Sequence, residues 1–138
     1  MKKGKKMERY KVILVDDEAE VIDMIEKKIH WNDLGFEVAG SATNGVKALE
    51  LVEKLQPDVV LTDIKMPYMD GLELSRRLNR EYPNIYIMLC TGFDEFEYAK
   101  EAVHLEIKEY MLKPVNATEL SESLTNLKHT LDREREEK

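Results

Sequence analysis

The sequence is poor in the features that mark secreted, membrane-bound and nucleic-acid-binding proteins. Its single cysteine, Cys90, allows no internal disulfide, which suits a cytoplasmic protein. No apolar run approaches the roughly 20 residues that a membrane helix needs, and the basic start over residues 1–7 lacks the apolar segment of a signal peptide. Positive charge is also scarce, since 21 Lys and Arg stand against 28 Asp and Glu, a formal net charge of −7. This balance argues against direct contact with nucleic acid, and we expect a cytoplasmic protein that contacts no membrane.

The chain does contain enough apolar material for one folded domain. Of its 138 residues 43% are hydrophobic and 36% charged, and a chain near this length buries roughly 70% of its unfolded surface. No linker rich in proline, glycine or serine and no solenoid-type repeat interrupts it. We expect a basic extension over residues 1–9, one domain over residues 10–131 and a charged tail over residues 132–138. For the tail, a solvated helix end or fraying segment is favoured over a dedicated docking element.

Short apolar runs alternate with amphipathic stretches along the chain. The runs predict five strands, at Tyr10–Val15, Phe36–Ala42, 58–62, 85–90 and 108–112. Apolar residues at helical spacing predict five helices, which contain Ile22, Leu49, Leu74, Ala99 and Leu124 in that order. Because parallel neighbouring strands need crossover helices, this strict alternation predicts a doubly wound α/β domain with a parallel five-stranded sheet.

Reactive polar residues follow four of the predicted strands. Asp16 and Asp17 follow the first strand, Asp63 the third, Thr91 the fourth and Lys113 the fifth. Functional groups of such a sheet collect beyond the carboxyl ends of its strands. Carboxylates that converge there repel one another unless a hard cation such as Mg²⁺ or Mn²⁺ binds among them. The Lys and Thr could hold a tetrahedral dianion beside that ion, and one carboxylate could act as nucleophile and form an acyl phosphate.

Each of these residues also has a simpler interpretation. Asp16 or Asp17 could cap the first helix, and Asp63 could be an ordinary loop aspartate. Thr91 could be a turn residue and Lys113 a surface charge. It is their joint placement at four strand ends that favours a site.

Four motifs give the chain a family resemblance. They are VDDE at residues 15–18, DIKMPYMDG at 63–71, TG at 91–92 and KP at 113–114. In this order and spacing, over about residues 10–131, the chain resembles the receiver domain of two-component response regulators. The resemblance implies a flavodoxin-like (βα)5 fold with strand order 2-1-3-4-5.

The resemblance also implies a role for each site residue. Asp63 would be the phosphoacceptor, modified by a sensor histidine kinase. Asp16, Asp17, Asp63 and the backbone carbonyl of Lys65 would hold Mg²⁺ or Mn²⁺. Lys113 would pair with the phosphoryl group. The domain would then be no enzyme in the ordinary sense, because it would catalyse only its own phosphorylation and slow dephosphorylation.

Two further residues match the family's switch. Phosphate would draw in the Thr91 hydroxyl, and the Tyr110 ring would fill the vacated space and change the surface formed by the fourth helix, fifth strand and fifth helix. A half-buried strand aromatic is the alternative interpretation of Tyr110. Homodimerisation on phosphorylation is a partner hypothesis that rests on the same residue.

The output and some alternatives stay open at this point. Residues 91–102 and the pair His30-Trp31 resemble a branch usually joined to an AraC-type DNA-binding domain. That favours an excised receiver that controls transcription through an absent domain, and the alternative is a stand-alone phosphorelay regulator. A small Mg-dependent aspartyl-phosphate phosphatase and an interaction module without phosphorylation are the less favoured hypotheses.

Overall fold

A computed structural model describes residues 8–92 and 105–136. The strands are β1 (Tyr10–Val15), β2 (Phe36–Ala42), β3 (Val59–Asp63), β4 (Tyr86–Thr91) and β5 (Glu109–Leu112). The helices within the described ranges are α1 (Ala19–Lys28), α2 (Trp31–Leu34), α3 (Gly45–Leu55), α4 (Gly71–Glu81) and α5 (Ala117–Glu136). The fourth predicted helix, around residues 96–103, and the basic residues 1–7 lie outside the described residues.

All five strands pair in parallel in the order β2-β1-β3-β4-β5. The doubly wound, flavodoxin-like fold and its strand order are therefore confirmed. Strand β3 lies at the centre of the sheet and is buried along its whole length. Helices cover both faces of the sheet, and this explains the unbroken apolar run over residues 59–61.

The core consists of two apolar layers, one on each face of the sheet. Helices α1 and α5 pack on one face, and helices α3 and α4 pack on the other. Ile22, Ile25, Leu120, Leu124 and Leu127 contribute to the first layer, and Ala48, Val52, Leu72, Leu74 and Leu78 to the second. The helical periodicity identified the buried face of α1, α4 and α5, but it was only partly right for α3, where Val52 is buried as predicted while Val46 is 46% exposed and Ala48 is buried instead.

Short polar side chains start three of the helices. Asn44, Asp70 and Asn116 each accept a hydrogen bond from the backbone N–H three residues later, at 2.9, 2.9 and 2.8 Å. Such caps satisfy one of the N–H groups that a helix leaves without an internal partner. They fix the first turns of α3, α4 and α5 beside the carboxyl ends of the strands.

Several element limits differ from the predicted ones by a residue, as helix and strand ends commonly do. Strands β3 and β4 each lie one residue later in the chain, and β5 begins one residue later. Helix α2 was not predicted, because four residues are too few for a periodic pattern. The Trp31 indole N–H donates to the Glu26 carbonyl at 3.2 Å, and Gly35 ends the helix with a φ of 92°.

The last helix is longer than the predicted domain. Helix α5 continues to Glu136, so the described part of the predicted tail, residues 132–136, is a helix end with residues 133–136 exposed, which is one of the two predicted forms. This helix end also contacts the sheet, because the hydroxyl of Tyr10 donates to Asp132 and that of Tyr86 donates to Glu134. Among the described residues, no helix combines the length and the apolar character needed to cross a membrane.

Candidate functional site

Three carboxylates meet at the carboxyl edge of the sheet, where the strands end. Strands β1 and β3 are neighbours, and Val15 pairs with Thr62, so the residues that follow emerge side by side. Carboxylate oxygens of Asp16, Asp17 and Asp63 all lie within 4.8 Å of one another. Asp16 and Asp63 are buried, whereas Asp17 is exposed. The structure thus brings together the three acidic residues predicted for a metal site.

A lysine from the end of β5 completes this cluster. The Lys113 ammonium lies 3.1 Å from Asp63 Oδ1 and 3.2 Å from Asp16 Oδ2. Its backbone N–H donates to the carbonyl of Thr91 at 2.8 Å, and its bond to Pro114 is cis. The backbone therefore holds Lys113 against the end of β4, while its side chain reaches across to the ends of β3 and β1.

Backbone N–H groups orient the two buried carboxylates. The N–H of Ile64 donates to Asp63 Oδ1 and that of Glu18 to Asp16 Oδ1, each at 2.9 Å. Helix α1 has Glu18 as its N-cap residue, with no side-chain capping bond. Capping of that helix by Asp16, the simpler interpretation of this residue, is therefore wrong. Its carboxylate is turned toward Lys113 and the site.

Burial and repulsion raise the pKa of the Asp63 carboxyl above its ordinary value. Burial, and then the charge of Asp16, raise the pKa of Asp63 to about 6, although Lys113 and the Ile64 N–H oppose the shift. For Lys113, burial lowers the pKa, but the charges of Asp63 and Asp16 outweigh it and raise the pKa overall. The net rise at Asp63 means that burial and the Asp16 charge together outweigh the stabilisation by Lys113 and the Ile64 N–H.

The donor set suits a hard divalent cation. Asp16, Asp17 and Asp63 offer only carboxylate oxygens, which are ligands typical of Mg²⁺ and Mn²⁺. A cation bound among them would relieve the repulsion from Asp16, which after burial is the second cause that raises the Asp63 pKa. Lys65, whose backbone carbonyl was the fourth predicted ligand, follows Asp63 by two residues and is exposed.

Gly71 allows α4 to start directly against the end of β3. Its N–H donates to the Ile64 carbonyl at 2.7 Å. A Cβ atom at this position would lie 2.2 Å from the Asp63 carbonyl oxygen and 2.9 Å from the Ile64 Cα. The Asp70-Gly71 pair in the sequence correctly indicates that a helix opens there, but it does not reveal the close approach.

The two predicted switch residues lie on the same face of the sheet. In the register of β4 and β5, Leu89 pairs with Tyr110 and Thr91 pairs with Leu112, and side chains two residues apart point to one face. Thr91 is buried, and its hydroxyl donates to the Gly92 carbonyl at 3.1 Å. Tyr110 is half-buried, and burial raises its pKa. They share a face, but a switch motion between them stays a prediction.

The acidic site has almost no internal cavity. The cavity lined by Asp16, Asp63 and Lys113 has a volume of about 10 Å³, less than the space of a small organic substrate. A groove of about 920 Å³ lies elsewhere, at the amino edge of the sheet where the strands begin, beside Tyr10 and Tyr86.

The chain matches known proteins over most of its length. Residues 12–125 match the family model for the response regulator receiver domain. The transcriptional regulatory protein YesN of Bacillus subtilis is 42% identical over 125 residues, which cover 91% of this chain and 34% of YesN. The transcriptional regulatory protein HptR of Staphylococcus aureus is 34% identical over 122 residues, which cover 88% of this chain and 48% of HptR. The chain thus spans about a third to a half of these relatives.

Solved structures match in three dimensions as well. The receiver domain of AraT, a response regulator from Geobacillus stearothermophilus, superposes with a TM-score of 0.87 at 39% identity, covering 91% of this chain and 98% of that one. A two-component transcriptional regulator AraC from Clostridium phytofermentans gives a TM-score of 0.83 at 31% identity, with 91% and 98% covered. Fold, acidic cluster, lysine and family match agree, and the chain belongs to the response regulator receiver domain family of two-component systems.

Proposed function

We propose that Asp63 accepts a phosphoryl group from a sensor histidine kinase in a Mg²⁺-dependent reaction. The observation that carries this proposal is the contact of Asp63 Oδ1 with the Lys113 ammonium at 3.1 Å, inside a cluster that also contains Asp16 and Asp17. An isolated structural ion pair would not need two further carboxylates beside it. The arrangement fits a nucleophile flanked by a cation site and a phosphate-binding lysine.

In the proposed reaction, one oxygen of the Asp63 carboxylate is the nucleophile. An oxygen of Asp63 forms a bond to phosphorus while the N–P bond of the donor's phosphohistidine breaks, and the freed imidazole takes a proton from solvent. With a pKa of about 6, Asp63 is mostly ionised at pH 7 and can act as nucleophile. Lys113 is positioned to pair with an oxygen of the new acyl phosphate, since it already contacts the accepting carboxylate.

Asp16, Asp17 and Asp63, with the backbone carbonyl of Lys65, would hold the divalent cation. Bound there, the ion would neutralise charge on the transferring phosphoryl oxygens. The protein's own part is to keep the carboxylates in place, through the N–H groups of Ile64 and Glu18. We propose no other enzymatic activity.

The modified site would then change the surface around β4 and β5. The Lys113 N–H donates to the Thr91 carbonyl, and Thr91 shares a sheet face with Tyr110. A phosphoryl group that attracts the Thr91 hydroxyl would therefore act on the end of β4, which a backbone hydrogen bond already joins to Lys113 at the end of β5. We propose that this change favours a homodimer, to be checked by light scattering with and without beryllofluoride; an unchanged mass over a wide concentration range would contradict it.

The length of the relatives supports a role in transcription. YesN and HptR carry the words transcriptional regulatory protein in their names, and this chain covers only 34% and 48% of them. We propose that the receiver acts in the cytoplasm on an attached DNA-binding output domain and does not itself contact DNA, in keeping with its net charge of −7. A stand-alone phosphorelay receiver is the alternative.

The test is direct phosphorylation by a small donor. The chain is incubated with acetyl phosphate, with Mg²⁺ or with a chelator, and weighed by intact mass spectrometry. We expect one added phosphoryl group that needs Mg²⁺ and is removed by hydroxylamine, which cleaves acyl phosphates. No added mass on the parent chain would refute the proposal.

A matched variant distinguishes the site from other aspartates. Asp63→Asn removes the nucleophile and is expected to abolish labelling. Asp70→Asn makes the same change in the same loop but keeps a capping side chain on α4, so it should label like the parent. Equal labelling of Asp63→Asn and the parent would move the phosphoacceptor elsewhere.

A further inference from the structure

A second cluster of polar contacts lies at the amino edge of the sheet, opposite Asp63. The Tyr10 hydroxyl donates to Asp132 Oδ1 at 2.5 Å, and the Tyr86 hydroxyl donates to Glu134. The guanidinium of Arg135 lies 4.5 Å from the centre of the Tyr10 ring. We call these five residues the amino-edge clamp. It joins the first residues of β1 and β4 to the last turns of α5.

The clamp holds a part of α5 that apolar packing does not hold. The apolar stripe of this helix ends at Leu131, and residues 132–136 are all charged. A helix end without packing normally frays, because its last carbonyls lack partners within the helix. Polar contacts with two strands therefore replace the missing apolar contacts over the last turns.

The clamp holds the helix at two separate points. Strand β3 lies between β1 and β4 in the sheet, so the starts of β1 and β4 are about 10 Å apart at the usual strand spacing. Attachment to one strand alone would let the helix end pivot about that contact. Attachment to two strands fixes its direction.

The contacts extend from the clamp into the body of the domain. Asp132 also accepts from the Lys128 ammonium at 2.8 Å, and the Lys128 stem covers Gly35, where a Cβ would come within 2.3 Å of it. The Tyr10 N–H in turn donates to the Gly35 carbonyl at 3.0 Å. These contacts form a closed ring through α5, β1 and the end of α2.

We propose that the amino-edge clamp fixes the direction in which α5 leaves the sheet and thereby orients the polypeptide that follows the receiver in a longer protein. The partner would be that following polypeptide. Its identity as a transcriptional output domain rests on the proposed function. Both phenols remain protonated donors near neutral pH, because burial and the neighbouring carboxylates raise the pKa of Tyr10 and of Tyr86 to about 12.

Hydrogen exchange of the whole chain tests the clamp without any phosphoryl donor. In Tyr10→Phe/Tyr86→Phe both hydroxyls are lost and both rings stay. We expect the amides of residues 132–136 to exchange about tenfold faster, as the loss of two modest hydrogen bonds implies, while residues 117–127 keep the parent rates. Unchanged rates at 132–136, or an equal rise along all of α5, would overturn the proposal.

The control makes the same chemical change where no clamp exists. Tyr68 is 91% exposed in the loop before α4, so Tyr68→Phe should leave every rate in α5 unchanged. Since neither variant touches the acidic site, a failure of this test would leave the phosphorylation proposal standing, and a failure of phosphorylation would leave the clamp standing.

A distance measurement tests the direction of the helix itself. Spin labels on Glu50→Cys in α3 and Glu136→Cys in α5 report across the sheet, and the buried Cys90, whose pKa burial raises to about 12, stays unlabelled. One narrow distance distribution is expected in the parent background and a broader one in Tyr10→Phe/Tyr86→Phe. A broad distribution in both, or a narrow one in both, would contradict the clamp.

Discussion

The two edges of this sheet use charged side chains in opposite ways. At the carboxyl edge, Asp16, Asp17 and Asp63 are drawn so close together that burial and repulsion raise the pKa of Asp63 to about 6. At the amino edge, both carboxylates of the clamp accept a tyrosine hydroxyl, and the hydrogen bonds of Lys128 and Tyr10 lower the pKa of Asp132. The carboxyl edge thus holds closely spaced negative charges whose repulsion a bound cation can relieve. At the amino edge the carboxylates of the clamp already have hydrogen-bond donors.

This difference separates a reactive site from a structural one. A site that must bind a cation and then a phosphoryl group is made less stable on its own, so that binding supplies the missing interactions. A contact that only holds a helix end gains nothing from such strain. The contrast leads to four expected results, in order of decreasing effect on stability.

The largest effect is expected where the backbone itself supports the carboxyl edge. Gly71→Ala would place a Cβ 2.2 Å from the Asp63 carbonyl oxygen. Because backbone must move to accept it, we expect the free energy of unfolding to fall by about 3 kcal/mol or more, measured by denaturant titration. In Gly40→Ala the new Cβ meets only the ends of the flexible Leu55 and Leu51 side chains, at 3.3 and 3.4 Å, so a smaller loss is expected. Equal losses would show that the close approach is not special.

The second effect has the opposite sign. Asp63→Asn removes a carboxylate whose folded-state pKa of about 6 lies above its unfolded value, so in metal-free buffer at pH 7 it should raise the free energy of unfolding, by at most about 3 kcal/mol because solvent partly screens the carboxylate. The folded state holds the Asp63 proton more tightly. Its contribution is therefore complete below about pH 4 and is lost as the pH rises through 6. Denaturant titrations of the parent and of Asp63→Asn at pH 4 and at pH 7 check this. A gain in the free energy of unfolding that is equal at the two pH values would contradict it.

The third effect is that of the cation. If Mg²⁺ relieves the repulsion, the parent chain should gain about 2.7 kcal/mol of stability when free Mg²⁺ is a hundred times its Kd. Asp17→Asn should reduce this gain, because it removes an exposed ligand while the buried pair with Lys113 stays. Asp132→Asn, at the other edge, should keep the full gain in the same thermal melts. A Mg²⁺ effect that is lost in Asp132→Asn would remove the distinction between the edges.

The smallest effect is expected at the amino edge. Asp132→Asn weakens the bonds from Lys128 and Tyr10, and since its side chain is 39% exposed the loss should be about 0.5 to 1 kcal/mol. Because the Asp132 pKa is lowered in the folded state, its contribution is present above about pH 4 and is lost as the pH falls through the folded pKa. A stability difference that grows on acidification would contradict this assignment.

The sequence allowed us to predict elements that have a repeating apolar pattern and site residues that directly follow a strand. Apolar periodicity identified the described long helices, and the β-branched runs identified the strands to within a residue. The placement of Asp16, Asp63 and Lys113 at one edge followed from their positions directly after predicted parallel strands, because parallel strands all end at the same edge. Their roles in catalysis and metal binding remain predictions.

Contacts between distant residues with no periodic pattern could not be predicted. Tyr10 and Asp132 are separated by 122 positions, and a run such as DREREEK looks solvated because its local composition carries no sign of the strand ends that it meets. Gly71 shows the same limit, since a dipeptide indicates a helix start but not the atom that lies 2.2 Å from its missing side chain. Helix α2 was too short to show a period.

The central position of β3 has a consequence for the lifetime of the site. Its residues are 0–5% exposed and are bonded on both sides, to β1 and to β4. Such a strand separates from its neighbours only when the whole domain unfolds, so its amides should be among the last to exchange with solvent. The proposed phosphoacceptor is thus attached to the slowest-opening part of the chain. Any signal that starts at Asp63 must leave through the outer strands and the helices, which can rearrange while the centre of the sheet stays intact.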